Sequence, residues 1–443
     1  MKPLRTIHFL SLGCAKNRVD SEVMAAFARA RGLKLVAEPE DADVIVVSTC
    51  GFIESAREES VDAILDMGRH KAEGRCRVLV AAGCLAQRSG AELVAQMPEI
   101  DFALGTSHPD RIGRVLDGAA ARLDAGGSGH FLQTGRTPRF VERGAPSAYL
   151  KIADGCSRRC AFCAIPAIRG QAESRSIRSV VTEARRLARA GVRELVLVAQ
   201  DTSSYGKDRR DGATLVSLLE ALDGVPDIAW IRLLYLYPTA VTDRLLRAVR
   251  DLPRVVPYLD VPIQHASGPM LRRMRRGHGP DLLRRLVERA RDIIPGVVLR
   301  TTVLVGHPGE TERDFEELLA FIEEARFDRL GAFRYSDEEG TPSFGTGLAV
   351  ARAVAYRRLR KVLALQRRIS AANNRALRGK AVGVLVEGRA DDAGYVLVGR
   401  HAGQAPEVDG VTYLTSSGAR RGDIVRARVV RTGDHDIVAD CEA

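Results

Sequence analysis

From residue 144 to residue 335 the chain alternates short apolar runs with helical patterns. The runs fall at 148–152, 194–199, 230–237, 258–263, 297–305 and 329–335, with helical spacing at 178–190, 215–222, 242–250, 269–294 and 312–325. Six strand–helix units in succession predict a parallel sheet wound as a partial (β/α)6 barrel of the TIM type. Chemistry in such a sheet gathers at the carboxyl ends of the strands. A shorter alternation precedes it, with runs at 6–12, 42–48 and 78–82 and helices over 17–31, 53–69 and onward from 84 to 97. This predicts a separate doubly wound parallel sheet over 1–120. Residues 121–143, rich in Gly, Thr, Pro and Arg, read as a linker or an exposed hairpin.

The alternation stops near residue 351. Residues 351–378 form one helical stretch with nine Arg or Lys and no acid, expected to pack Val362, Leu363 and Leu365 inward. Short strands with Gly and Asp turns follow at 382–389, 395–400, 412–415, 423–432 and 436–440, the pattern of a small antiparallel β-barrel. The fold class is therefore α/β multidomain: 1–120, a linker at 121–143, a barrel at 144–372 and a small β-barrel at 373–443. The longest apolar runs, 42–50 and 78–82, fall far short of the ~18 residues that span a bilayer. The first ten residues hold no h-region. A cytoplasmic protein with no membrane partner is expected, and there eight cysteines read as metal or catalytic thiols, not disulfides.

The sharpest local signal is Cys156-Ser-Arg-Arg-Cys160-Ala-Phe-Cys163, just past the first barrel strand. A structural zinc site wants four ligands, and no further Cys or His follows nearby. Three thiolates suit a [4Fe–4S] cluster with one iron left open. A second set is dispersed: Cys14, Cys50 and Cys84 each follow a different predicted parallel strand. All carboxyl ends of an open α/β sheet lie along one edge, where ligands bind. These three thiols thus reach one edge by independent routes and could hold a second cluster, unless they are merely buried. Cys76 begins its strand and falls on the opposite edge. Cys441 lies near the end of the sequence, and both read as bystanders. One site that generates a radical and one that handles sulfur together suggest sulfur insertion at an unactivated C–H bond.

The Cys156–Cys163 spacing, with an aromatic before its last Cys, resembles the signature of radical S-adenosylmethionine (SAM) enzymes. Nearly the whole chain resembles the radical SAM methylthiotransferase family. The words that carry the likeness are Ser11-Leu-Gly-Cys14 through Glu22, Ser48-Thr-Cys50-Gly-Phe-Ile, Gly83-Cys84-Leu-Ala-Gln, and Gly155-Cys156 through Pro166 with Arg169-Gly170. The resemblance implies two [4Fe–4S] clusters, with SAM as radical source and methyl donor. It also implies a C-terminal TRAM domain that binds substrate, and an electron donor such as flavodoxin or ferredoxin. A monomer is expected.

Within the family, Tyr258-Leu-Asp-Val-Pro-Ile-Gln-His265 and Phe327 through Ser336 resemble the branch that methylthiolates the β-carbon of an aspartate in ribosomal protein S-twelve. The alternative branch acts on a tRNA adenosine. Charge favours the first. The net charge is +11, nearly all from Arg, yet residues 373–443 hold ten basic and ten acidic residues, Asp391 and Asp392 among the latter. An RNA-binding barrel should be basic and carry stacking aromatics, and only Tyr395 and Tyr413 are available. Strand-end residues Gln200, Asp201, Gln264, Gly306 and Glu310 are the candidate SAM contacts. Against this, the 200–205 stretch could equally be a capping loop and His265 a satisfied structural histidine.

Overall fold

The computed structural model describes residues 3–125, 131–390, 394–415 and 418–442, so Asp391 and Asp392 lie outside the described residues. The chain divides into two compact units. The first comprises residues 1–141 together with 153–175 and 336–344; the second comprises 142–152, 176–335 and 345–443.

The first unit is built on a six-stranded, all-parallel sheet. Its spatial order is Lys34–Leu35, Thr6–Ser11, Val44–Thr49, Val78–Gly83, Phe102–Leu104 and Leu123–Asp124. The central strand Val44–Thr49 is buried along its whole length, as a β-branched run covered on both faces must be. Helices Ala15–Ala30, Glu54–Ala72 and Cys84–Gln96 connect the strands. The sequence reading found the three long strands but not the two- and three-residue ones. One of these, Leu123–Asp124, places the start of the expected linker inside the sheet. The strand order reverses between Thr6–Ser11 and Val44–Thr49, because the chain goes first to one side and then to the other. That reversal is the switch point at which a doubly wound sheet opens a crevice.

The second unit holds the six expected barrel strands, Ser147–Lys151, Glu194–Val198, Trp230–Leu233, Val255–Asp260, Val298–Val305 and Arg329–Arg334. They pair in sequence order, all parallel, and stay open between first and last. Thr311 caps the helix Glu312–Ala325: its hydroxyl accepts the Asp314 N–H at 3.1 Å, and Asp314 accepts the Thr311 N–H at 3.0 Å. The helix expected over 269–294 is two helices, Gly268–Arg273 and Pro280–Ile293, because Arg275 turns left-handed at a φ of 54° and the Arg276 N–H closes back on the Leu271 carbonyl at 2.9 Å. The long helix Arg352–Arg375 buries Ala355, Arg358, Val362, Gln366, Ile369 and Ser370. Leu363, expected inside, is 44% exposed, since it lies a residue off that stripe.

The five C-terminal strands close into a barrel in the order Ala381–Arg389, Leu397–His401, Thr412–Leu414, Ile437–Cys441 and Ile424–Thr432. Its 400–409 stretch meets side chains from five of the six parallel strands. Tyr149 donates to Glu407 at 3.0 Å and Tyr258 to Asp409 at 2.7 Å. Arg232 donates to the Ala402 carbonyl at 2.8 Å, Arg400 to Glu194 at 2.5 Å, and Arg300 pairs with Asp409 at 3.4 Å.

Candidate active site

In the first unit the thiols of Cys14, Cys50 and Cys84 come to one sheet edge, Cys14 and Cys50 flanking the switch point. Cys14 precedes the helix Ala15–Ala30 and Cys84 opens the helix Cys84–Gln96. The turns that carry them press together. A Cβ on Gly13 would stand 3.1 Å from the Cys50 Cβ, and one on Gly51 only 2.8 Å from the Cys84 backbone. Neither glycine tolerates a side chain without moving a cysteine. Ser60 fixes Cys50 from behind, accepting its N–H at 2.9 Å and donating to its carbonyl at 3.1 Å.

The three thiols differ in charge readiness. Burial pushes the Cys14 thiol up, but the Lys16 and Arg169 charges and the N–H groups of Asn17 and Lys16 outweigh it and hold it below the ordinary range. Burial dominates at Cys50, and with the neighbouring Cys84 and Cys14 it pushes that thiol up to about 11. Cys84 is also raised, by burial first, against the pull of Arg169. A thiol raised in this way loses its proton readily only when a cation binds it. Among the described residues no three Cys, His, Asp or Glu side chains converge as ligands of one ion do. A cluster asks for something wider, since each thiolate binds a different iron. Three thiols with no fourth ligand beside them, among the described residues, fit a cluster with one open iron better than a structural zinc ion.

The second cysteine set belongs to the same unit. Cys156 donates its N–H to the Gly170 carbonyl at 2.9 Å, and Cys163 donates to the Cys160 carbonyl at 3.2 Å, closing a tight turn between them. Cys84 packs against Ala164, which directly follows Cys163, and against Ile168. Arg169 completes the join. Its guanidinium donates to both Asp154 oxygens at 3.2 Å, to Asn17 at 2.6 Å, to Asp20 at 3.1 Å and to the Cys84 sulfur at 3.6 Å. Of the other cysteines, Cys76 is buried among Leu79 and Ile45, and Cys441 lies in a strand of the closed barrel.

The remaining candidates lie in the second unit. Gln200 and Asp201 follow the strand Glu194–Val198, and Asp201 accepts the hydroxyls of Ser203 and Ser204 in its own loop. Gln264 has a φ of 70° and pairs with Val303, a backbone state that a non-glycine residue keeps only under external constraint. Gly306 donates its N–H to Glu310. Glu310, a candidate SAM contact, spends its carboxylate on the protein: the other oxygen meets His265 Nε2 at 3.1 Å, and Arg358 donates at 2.8 Å. His265 Nδ1 accepts the N–H groups of Ala266 and Ser267 at 3.0 and 2.9 Å, so its proton sits on Nε2 and points at Glu310. Both residues hold the 306–310 turn in place.

Two relatives match almost end to end. The ribosomal protein uS12 methylthiotransferase RimO of Sorangium cellulosum is 50% identical, over 98% of this chain and 91% of that protein. The protein of the same name from Anaeromyxobacter sp. strain K is 48% identical, over 98% and 92%. The chain belongs to the RimO family. Residues 6–105 match the uncharacterized protein family UPF0004, 150–322 the radical SAM superfamily and 379–441 the TRAM domain. The fold also resembles the radical SAM methyltransferase TsrM of Kitasatospora setae, solved with cobalamin and a [4Fe-4S] cluster. The TM-score is 0.56 at 14% identity, over 77% of each chain. The cobalamin-dependent SAM radical enzyme OxsB gives 0.52 at 13% identity, over 82% of this chain and 56% of that one. The expected architecture of parallel sheet, open barrel and closed TRAM barrel is borne out, as is the RimO branch. What sequence reasoning missed is the part played by Arg169, which stood only as a letter in a family word.

Proposed function

We propose that this RimO-family chain adds a methylthio group to the β-carbon of an aspartate in ribosomal protein uS12. Cys156, Cys160 and Cys163 would hold one [4Fe–4S] cluster, and Cys14, Cys50 and Cys84 a second. SAM and these clusters, when bound, supply radical generation, sulfur and the methyl group. The chain's own residues bind and shield. Cys84 and Cys156 are buried, which keeps water from the sulfurs. The start of the helix Ala15–Ala30 and the Lys16 charge favour thiolate at Cys14. The strand-end residues Gln200, Asp201, Gln264 and Gly306 would contact SAM, with Glu310 fixing the turn beneath it. An external donor such as flavodoxin or ferredoxin supplies electrons, and the enzyme acts as a cytoplasmic monomer. Among the described residues no helix is long and apolar enough to cross a membrane.

The observation that carries this reading is the meeting of both thiol sets in one compact unit, through Arg169 and the packing of Cys84 on Ala164. The tRNA branch draws on one feature, the stacked pair Tyr395–Tyr413 at 4.7 Å with Arg431 over Tyr395. A single experiment separates the two. Deletion of the gene should leave uS12 lighter by one methylthio group at one aspartate, with tRNA unchanged. An unmodified adenosine beside normal uS12 would overturn the proposal.

A further inference from the structure

Arg169 touches a candidate cluster ligand and the neighbourhood of both cysteine sets at once. It is 2% exposed. Asp154 lies two residues before Cys156, while Asn17 and Asp20 lie on the helix that Cys14 precedes. The network is over-anchored for a purely electrostatic role. Two carboxylates and one amide oxygen orient the fork, and Nη2, which reaches Asn17 at 2.6 Å and Asp20 at 3.1 Å, shares its two hydrogens with the Cys84 sulfur at 3.6 Å. Asn17 is in turn fixed, donating to the Thr49 carbonyl at 2.9 Å. A cationic N–H held on a ligand sulfur by groups that cannot rotate away is a standard means of setting a cluster's reduction potential. It stabilises the negative charge that arrives with an electron.

We propose that Arg169 is a positioning residue with two effects: it locks the Cys156–Cys163 loop to the Cys14–Cys50–Cys84 site, and its N–H on Cys84 raises the reduction potential of that site. This rests on the two-cluster reading above. Lysine is no substitute, because a single ammonium cannot span Asp154 and Cys84 together.

The test uses the full chain carrying Cys156→Ala, Cys160→Ala and Cys163→Ala, so that only the site at Cys84 loads iron. After anaerobic reconstitution, iron content is counted and the cluster is titrated against potential by electron paramagnetic resonance. The background should bind about four irons. No iron there would overturn the two-cluster reading, and this proposal with it. With iron bound, Arg169→Met should lower the reduced-to-oxidised ratio at a fixed potential at least tenfold, which for one electron is about 59 mV. Arg169→Lys should shift it in the same direction by less. An iron-loaded Arg169→Met protein with an unchanged midpoint overturns the proposal, since a merely structural role would leave the potential alone. Should Arg169→Met fail to fold or load, Arg169→Lys decides the matter, and an unchanged midpoint there overturns the proposal equally.

Discussion

Replacing Glu194 with glutamine removes the one negative charge that faces two buried guanidinium groups. Glu194 accepts Arg232 Nε at 2.8 Å and Arg400 Nη2 at 2.5 Å, and the three side chains are 0%, 0% and 2% exposed. The two arginines fare differently after the change. Arg400 keeps Glu387 at 2.8 Å. Arg232 keeps the Ala402 carbonyl at 2.8 Å and the face of Tyr258 at 4.7 Å, neither of which carries a charge. Stranding one cation in a dry site costs about 3–5 kcal/mol. The readout is urea unfolding of the apo-chain followed by fluorescence, because the single tryptophan, Trp230, lies two residues from Arg232 in the same strand. The midpoint should fall with the slope unchanged.

The exposed pair Arg421–Glu142 supplies the control. It is 3.1 Å apart with side chains 43% and 66% exposed, and Arg421→Ala should cost only about 0–1 kcal/mol. Adding Arg232→Met to the glutamine variant should recover part of the loss, because the stranded charge goes with it. Burial raises the Glu194 pKa, and the Arg232 and Arg400 charges pull it below the usual range. Its stabilisation is therefore in force above the ordinary glutamate range and fades as pH falls through the lower folded value, an acid limb the variant should lack. A loss of under about 1 kcal/mol, or a double variant weaker than the single, would refute the reasoning.

Reconstituted protein should bind about eight irons, and removing Cys156, Cys160 and Cys163 should halve that count. Replacing Cys14, Cys50 and Cys84 should spare reductive SAM cleavage and abolish methylthiolation, as measured by deoxyadenosine release and product mass, while Cys76→Ser leaves both intact. His401 is 7% exposed and burial pulls its pKa down to about 3, so the unfolded chain takes up a proton below about 6.5 that the folded chain refuses. Stability should thus fall by about 2 kcal/mol from this residue between pH 6.5 and pH 5, and His401→Gln should flatten that slope in urea titrations.

The long strands were legible because each is a run of apolar residues that burial on two faces demands, as at Val44–Thr49 and Glu194–Val198. Lys34–Leu35 and Leu123–Asp124 were not, since two residues display no period and exist only because a neighbouring strand is there to pair with. The split of the 269–294 helix hung on the left-handed backbone of Arg275, a state that an arginine does not announce in the sequence. At the site, the position of Cys14, Cys50 and Cys84 just after their runs placed them on one edge. Arg169 could not be read in the same way. Its partners lie 15, 149, 152 and 85 residues away in sequence, and only folding brings them together. Glu310 and His265 had the right addresses for ligand contact, but which way their polar atoms turn is a property of packing.

The 400–409 stretch bears on how the protein is made. Synthesis runs from the amino terminus at about 5–20 residues per second, so the parallel strands emerge well before the residues that complete them. Arg400 lies 206 residues after its partner Glu194, and Asp409 lies 151 after Tyr258. Until the last strands are translated, Tyr258 and Arg300 have no Asp409, and Glu194 has one arginine in place of two. The second unit therefore cannot finish its interior while the nascent chain is still being threaded out. A polypeptide released before residue 400 is left with Glu194, Tyr258 and Arg300 short of the partners that the last strands supply.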